Sequence, residues 1–352
     1  MLYADRSGKG GRIWWLGAIM LILALLAAGC GAGNEAKGNN GSAGAQPSAN
    51  TPADTGGEPA VAAVDAKESE TRVVKHAMGE TPITGKPQKI VVLTNEGTEA
   101  VLSLGVKPVG AVRSWTGDPW YDHIKADMEG VTEVGEESQP NLELIAALKP
   151  DLILGNKLRQ EKVYEQLSAI APTVMSENLR GNWKTNFKLY AEALGLTAEG
   201  DAQLAAFDAR IEDFKAKAGD KLKETVSVVR FMDGSTRVYH TNSFSGVIFE
   251  QIGIARNEMT KNAKDNFIDE ITKERLPEAD ADRLFYFTYE TGDGKASKTE
   301  EEWTSDPLWN SLSAVKNGKA YRVDDAIWNT AGGVKAANLL LDQLAGIYGI
   351  EG

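Results

Sequence analysis

One pattern occurs twice in this chain and constrains its fold more than any other feature. It is a short helix, a break, and an apolar strand led by aspartate. The first copy reads NLELIAALKPDLILG, residues 141–155, and the second reads DEITKERLPEADADRLFYF, residues 269–287. Apolar runs of this length between breakers suit strands buried on both faces, as in parallel sheets covered by helices. A second echo surrounds the first. KIVVLTNEGTEAVLSLGVKPVGAV, residues 89–112, reads strand, helix, strand, with Thr94 or Asn95 as helix cap, Glu96 favourable in the first turn, and Gly105 as a left-handed stop. TVSVVRFMDGSTRVYHTNSFSGVIFEQIGIARN, residues 225–257, gives a strand over 226–231, a short strand through Val238 and Tyr239, a helix from about Ser243, and a stop at Gly253. Two similar α/β lobes with parallel-type sheets are expected.

Between them, residues 182–223 carry two helical stripes: Trp183, Phe187, Tyr190 and Leu194, then Leu204, Phe207, Ile211 and Phe214. These aromatics read as helix packing, and the expected organisation is lobe, long helix, lobe, with little hinge opening. The lobes span 71–181 and 224–352.

The N-terminal 70 residues have another character. Arg6, Lys9 and Arg12 precede an apolar run, Ile13 to Ala28, shorter than the ~20 residues of a membrane-spanning helix. The run ends in small residues at LLAAGC, so residues 1–29 read as a cleaved signal peptide. The site resembles a bacterial lipobox, with Ala27 where a large aliphatic is usual, and the resemblance makes Cys30 the lipidated first residue of the mature chain. The alternative is an uncleaved anchor. Residues 30–70, rich in Gly, Asn, Ala and Ser and free of aromatics, cannot bury enough apolar surface to offset ordering and read as a flexible tether. Cys30 is the only cysteine, so no intramolecular disulfide is available. Removing residues 1–29 moves the net charge from −12 to about −14, which argues against a nucleic-acid partner.

Strand ends are where α/β proteins place their sites, and here an acidic chain puts cations there. Arg159 follows the strand 152–154 through GNKL and reads as a ligand-facing cation or a surface ion pair; Lys157 and Lys162 read as solvated helix charges. Arg113 and Trp115 lie just past the strand 109–112. Arg230, Tyr239 and His240 surround the first strands of the second half, with His240 open to a second reading as a satisfied loop histidine. Trp328, open to a reading as core, and Asn329 follow YRVDDAI, and Lys335 opens the last helix. Arg237, beside the DGST turn, ranks below these. Trp120 and Tyr121 read as a lip of the cleft or a core plug.

From about Thr71 onward the chain resembles the substrate-binding lipoproteins of ABC importers for iron–siderophore complexes, whose two lobes are joined by one long helix. The resemblance rests on the order and spacing of KIVVL, LSLGVKPVG, VGEESQPNLELIAALKPDLILGNK, YEQLSAIAPTV, NWKTNFKLYAEALG, SFSGVIFEQIGIARN and EITKERLPEADAD. GDPWYDHI and GNKLRQEKVYEQLSAIAPTV look most like the Gram-positive branch taking hydroxamate and citrate-based siderophores. It implies a ferric siderophore held between the lobes at Arg113, Trp115, Arg159, Arg230, Tyr239, His240, Trp328, Asn329 and Lys335. The chelator, not the protein, holds the Fe³⁺, and no cofactor is bound. It further implies that Glu143 and Glu274, one per lobe, dock onto a membrane permease served by a separate ATPase, with the receptor lipid-anchored outside the cell membrane and monomeric.

The residues agree on the metal: His76, His123 and His240 are scattered, without metal-ligand spacing. Haem or a corrinoid on the same scaffold is the alternative ligand. A lipid-anchored hydrolase is the alternative class, but HTNSFSG lacks a G-x-S-x-G elbow and no Walker-type loop occurs. A passive structural lipoprotein would need no cations and aromatics at strand ends.

Overall fold

Local capping chemistry sets up the first α/β unit in the computed structural model, which describes residues 70–350. The readings that fall on residues 1–69, Cys30 included, lie outside the described residues. A hairpin of β1 (Thr71–His76) and β2 (Gly79–Thr84) comes first. It turns Val74 and Ile83 inward, and Arg72 donates to the carbonyls of Gly85, Glu192 and Ala193. Next comes β3 (Ile90–Val92) and then α1 (Asn95–Ser103), whose cap Thr94 accepts the Gly97 N–H at 3.0 Å. Gly105 ends it at φ +74°, a conformation costly for any residue with a Cβ.

The lobe continues with β4 (Gly110–Ala111), β5 (Thr132–Glu133), a small ribbon of β6 (Gly135–Glu136) and β7 (Gln139–Pro140), and α2 (Leu142–Leu148). It closes with β8 (Leu152–Asn156), α3 (Lys157–Gln160), α4 (Tyr164–Ile170) and β9 (Thr173–Ser176). Its sheet runs β5-β4-β3-β8-β9, parallel throughout.

Then α5 (Trp183–Leu194) and α6 (Thr197–Ala218) lead out of the lobe. At 22 residues α6 is about 33 Å long. Its Leu204, Phe207, Ile211 and Phe214 are buried, and Trp183 meets Phe207 edge-on at 5.2 Å.

The second lobe begins with β10 (Val226–Met232), β11 (Ser235–Tyr239), α7 (Phe244–Ile252), α8 (Glu258–Lys261) and β12 (Ile268–Ile271). A 3-10 stretch (Lys273–Ala279) leads to β13 (Arg283–Thr288). After α9 (Lys295–Thr304), α10 (Pro307–Ser311), α11 (Ser313–Lys316) and β14 (Ala320–Arg322), the lobe ends in α12 (Val334–Tyr348). Its sheet order is β12-β11-β10-β13-β14. The expectation of parallel-type sheets needs one correction here: β11 runs against both neighbours. Asp233 and Gly234 return the chain within two residues, Met232 facing Ser235, whereas a parallel neighbour needs a crossover of a dozen residues or more.

The doubled sequence pattern has a physical cause. Asp151, ahead of β8, accepts the Gln88 and Lys89 N–H groups at 2.8 and 2.9 Å and so caps the start of β3. Asp282, ahead of β13, accepts the Thr225 N–H and hydroxyl at 2.7 and 2.8 Å and caps the start of β10.

The lobes share one apolar core. It runs from Val92 and Val101 through Trp183, Phe207 and Phe249 to Phe285 and Leu340. The last helix returns to the first lobe: the buried Glu99 carboxylate on α1 accepts the Ala336 N–H at 2.9 Å and pairs with His123, while Lys335 pairs with Asp127 at 3.0 Å. A second crossing beside α6 and a continuous core oppose large hinge opening.

Candidate functional site

The carboxyl ends of the two sheets face a cleft. One cavity of about 490 Å³ is lined by both lobes, and a neighbouring one of about 470 Å³ shares Trp115, Glu137 and Tyr289 with it. Each is of the size that holds a small ligand.

Arg159 owes its position to the two residues that bracket its turn. Asn156 ends β8 and caps α3 by accepting the Leu158 N–H at 2.9 Å. Gln160, fully buried, donates to the carbonyls of Leu93 and Glu137 and accepts the Asn156 N–H. Held between these anchors, Arg159 lies 5.4 Å from the centroid of Trp115 and 3.3 Å from a carboxylate oxygen of Glu137. Its side chain remains 37% exposed, which leaves N–H donors free for a ligand.

Arg113 follows β4 into the adjoining cavity, with Glu133 a loose 4.0 Å away. Arg237 lines the main cavity, its nearest carboxylate 3.9 Å distant on Glu270. Arg180 lies over the Phe267 ring at 4.1 Å and makes no ion pair among the described residues. Its backbone sits at φ +75°, unusual for a residue with a Cβ. Four guanidiniums are thus weakly committed around flat apolar surfaces of Trp115, Phe267 and Tyr289.

Arg230 differs. It is buried on β10, and Asp325 clamps it through two bonds of 2.6 and 3.0 Å while the Tyr239 hydroxyl accepts a third at 3.0 Å. Burial acts against its charge, but Asp325 and Tyr239 outweigh burial and hold the guanidinium above its ordinary value. Arg230 and Tyr239 line the cavity as a braced wall.

Two carboxyl groups share the first-lobe wall. Glu137 accepts the Asn95 backbone and side-chain N–H groups at 2.7 and 2.8 Å, at the N-terminus of α1. Burial raises its pKa, opposed by Asn95 and then by Arg159. Glu96 accepts the Asn186 amide at 2.7 Å, and burial pushes its carboxyl up to about 8, reinforced by Glu137 and Glu99.

These are the features of a receptor cleft, and residues 90–327 match the periplasmic binding protein family. The chain belongs to that family. Its members bind substrates and are not enzymes. The Bacillus subtilis "Probable siderophore-binding lipoprotein YfiY" is 56% identical over 283 residues, covering 78% of this chain and 87% of the relative. The Bacillus subtilis "Fe(3+)-citrate-binding protein YfmC" is 30% identical over 324 residues, 91% and 92% of the two chains. The crystal structure of Staphylococcus aureus SirA complexed with staphyloferrin B superposes with a TM-score of 0.74 at 41% identity, covering 80% of this chain and 99% of SirA.

Within this binding protein, Arg113, Trp115, Arg159, Arg230, Tyr239 and Asn329 come together around the cleft. Three expected site residues do not. Trp328 is fully buried, 4.6 Å from Phe285 between ring centroids, with its indole N–H donated to Gln343. A π-helical turn over Ala326–Thr330 puts Trp328 in the core and its neighbour Asn329 at the cavity. His240 is also fully buried, beside Thr260 at 3.2 Å and Asp269 at 3.4 Å, and burial lowers its pKa; Nε2 makes no hydrogen bond among the described residues, so the imidazole is only half satisfied. Lys335 lines a separate hollow with Ser103 and His123. Trp120 and Tyr121 are buried, the core plug of their two readings.

Sequence reasoning missed Glu96, Glu137, Arg180, Phe267 and Tyr289, and ranked Arg237 too low. For Arg237 a signal existed. It stands two residues before Tyr239 on one strand, so the two share a face, and it pairs across the hairpin with Arg230. Glu143 and Glu274 are both exposed, on the helix before β8 and the 3-10 stretch before β13.

Proposed function

We propose that this protein is the receptor of an iron importer. It captures a ferric siderophore of hydroxamate or citrate-hydroxamate type and delivers it to an ABC permease. The observation that carries this reading is the cleft itself: Arg113, Arg159, Arg180 and Arg237 gathered round Trp115, Phe267 and Tyr289, with only weak internal partners. Guanidiniums match carboxylate and chelate oxygens, while the rings cover the organic backbone. The siderophore-binding YfiY, the Fe(3+)-citrate-binding YfmC and SirA with staphyloferrin B support a ferric chelate as ligand, with citrate among its chemistries. Fe³⁺ is cargo, coordinated by its chelator; among the described residues no cluster of metal-ligating side chains occurs.

Delivery follows from the same frame. Signal peptide 1–29 directs export and is removed; Cys30 as lipid anchor and tether 30–70 then keep lobes 71–181 and 224–352, with their linker 182–223, at the outer face of the cell membrane as a monomer. Glu143 and Glu274 present one carboxylate per lobe to permease arginines. A shared core restricts the response to a small lobe adjustment, and a separate ATPase supplies the energy.

Trp115 provides the test. The full chain in detergent is titrated with a ferric citrate-hydroxamate siderophore, its iron-free form, a ferric catecholate and haem. Saturable tryptophan quenching is expected with the ferric citrate-hydroxamate at sub-micromolar concentration, on the order of −8 kcal/mol or better. Binding of haem or catecholate alone would replace the ligand class, and silence with all four would remove the receptor reading.

A further inference from the structure

Carboxylates in the wall of an anion-binding cleft are out of place unless they meet hydrogen-bond donors. Glu96 and Glu137 are 5% and 3% exposed, and both line the main cavity. One oxygen of Glu137 is spent on Asn95. The other, Oε2, is buried with a single partner: Arg159 Nε, 3.3 Å away in an ion pair too bent for a well-formed hydrogen bond, helps hold the Glu137 charge against burial. A carboxylate oxygen can accept two donors, and a buried one held by a single strained contact has acceptor capacity left over.

Resting on the siderophore reading above, we propose that Glu137, with Glu96 beside it, forms a subsite that accepts a hydrogen-bond donor on the ligand's organic backbone. The donor is an amide N–H, a hydroxyl or an ammonium, next to the chelate oxygens that Arg159 takes. The cleft then selects chelates that present donor and anion side by side, and it disfavours chelates that present oxygens alone. A site built to pair with a donor rejects an analogue lacking it far more strongly than an apolar pocket rejects a missing methylene.

Glu96 makes the selection pH-dependent. The groups around it are Glu137 on the β6–β7 ribbon, Glu99 on its own helix, and Tyr190 and Asn186 on α5. With its proton, Glu96 adds no charge to a wall facing an anionic ligand; without it, a second carboxylate stands beside Glu137 and repels that ligand.

The experiment compares Kd for a ferric citrate-hydroxamate siderophore bearing amide N–H groups with Kd for ferric citrate, which presents oxygens. Wild type, Glu137→Gln and Glu96→Gln are measured in the full chain at pH 6 and pH 9. Glu137→Gln keeps an oxygen for Asn95 but turns an amide toward the ligand. It is expected to weaken the siderophore about tenfold or more while ferric citrate holds or tightens, collapsing the ratio. Glu96→Gln is expected to flatten the pH dependence, its Kd ratio between pH 9 and pH 6 falling toward one while the wild-type ratio stays well above one. Equal weakening of both ligands by Glu137→Gln would make Glu137 only a support for Arg159 and overturn the subsite. An unchanged ratio, or wild-type affinity independent of pH, would do the same. Should wild type bind no ferric siderophore, the receptor reading fails and the subsite with it; binding without discrimination removes the subsite alone.

Discussion

The two lobes are alike where their strands begin and unlike where they end. At the beginnings, Asp151 and Asp282 do the same job, each accepting two hydrogen bonds at the start of the neighbouring central strand. At the ends, the first lobe offers a half-exposed Arg159 beside the under-satisfied Glu137, whereas the second buries Arg230 against Asp325 and Tyr239. The scaffold chemistry repeats because both sheets need it, and the cleft chemistry diverges because only one ligand must be held between them. One arginine is poised for a partner outside the chain; its counterpart already has its partner inside.

Asp325→Ala should break this comparison most forcefully. It leaves a buried guanidinium unpaired and is expected to cost about 3–5 kcal/mol in denaturant unfolding. If it costs no more than a surface change, Arg230 is free for ligand and the two lobes are not different. Arg159→Ala comes next, and its effect should fall on binding. Loss of charge-assisted bonds is expected to weaken the ferric siderophore by about 10- to 100-fold in the fluorescence titration. Its cost in unfolding free energy should stay below that of Asp325→Ala.

Glu96 sharpens the first-lobe side through pH. Its folded pKa is raised, from 4.5 to about 8, so the folded state holds the proton more tightly than the unfolded chain. The contribution is complete below pH 4.5 and is lost as pH climbs through about 8. Across that window wild type should lose stability relative to Glu96→Gln, with a slope of up to about 1.4 kcal/mol per pH unit, read by melting at a series of pH values. Parallel curves would mean that Glu96 is ionised throughout. The smallest effect tests the likeness. Asp151→Ala and Asp282→Ala should each cost about 1 kcal/mol, and by similar amounts, since both lose two hydrogen bonds at an exposed strand start.

Much of the architecture was legible because it is local. Thr94, Gly105, Ser243 and Gly253 cap and stop their helices through contacts within a few residues, and their types announce it. The 3.6-residue stripe of Leu204, Phe207, Ile211 and Phe214 announced the buried face of α6 in the same way. The antiparallel β11 was also within reach, since Asp-Gly between two apolar runs is a hairpin signal that outweighs the expectation of a parallel neighbour. In the site, Arg159, Arg113 and Trp115 could be placed because a residue just past a buried strand has few places to go.

The remainder depended on neighbours far away in the chain. Trp328 and Asn329 are adjacent, yet a π-helical turn sends one into the core and leaves the other at the cleft. Glu96 looks in sequence like an ordinary first-turn acid; its raised pKa comes from burial among residues brought from the β6–β7 ribbon and α5. Arg230 reads as a cation at a strand, and only Asp325, 95 residues later, makes it a brace. Sequence by itself determined the two α/β units, their caps, the long linking helix and the cationic, aromatic character of the strand ends, because propensity, periodicity and capping act over a few residues. Tertiary structure alone decided which of those charges remain available to a ligand, because burial and ion pairing are set by residues distant in the chain, Glu137 beside Arg159 and Asp325 beside Arg230.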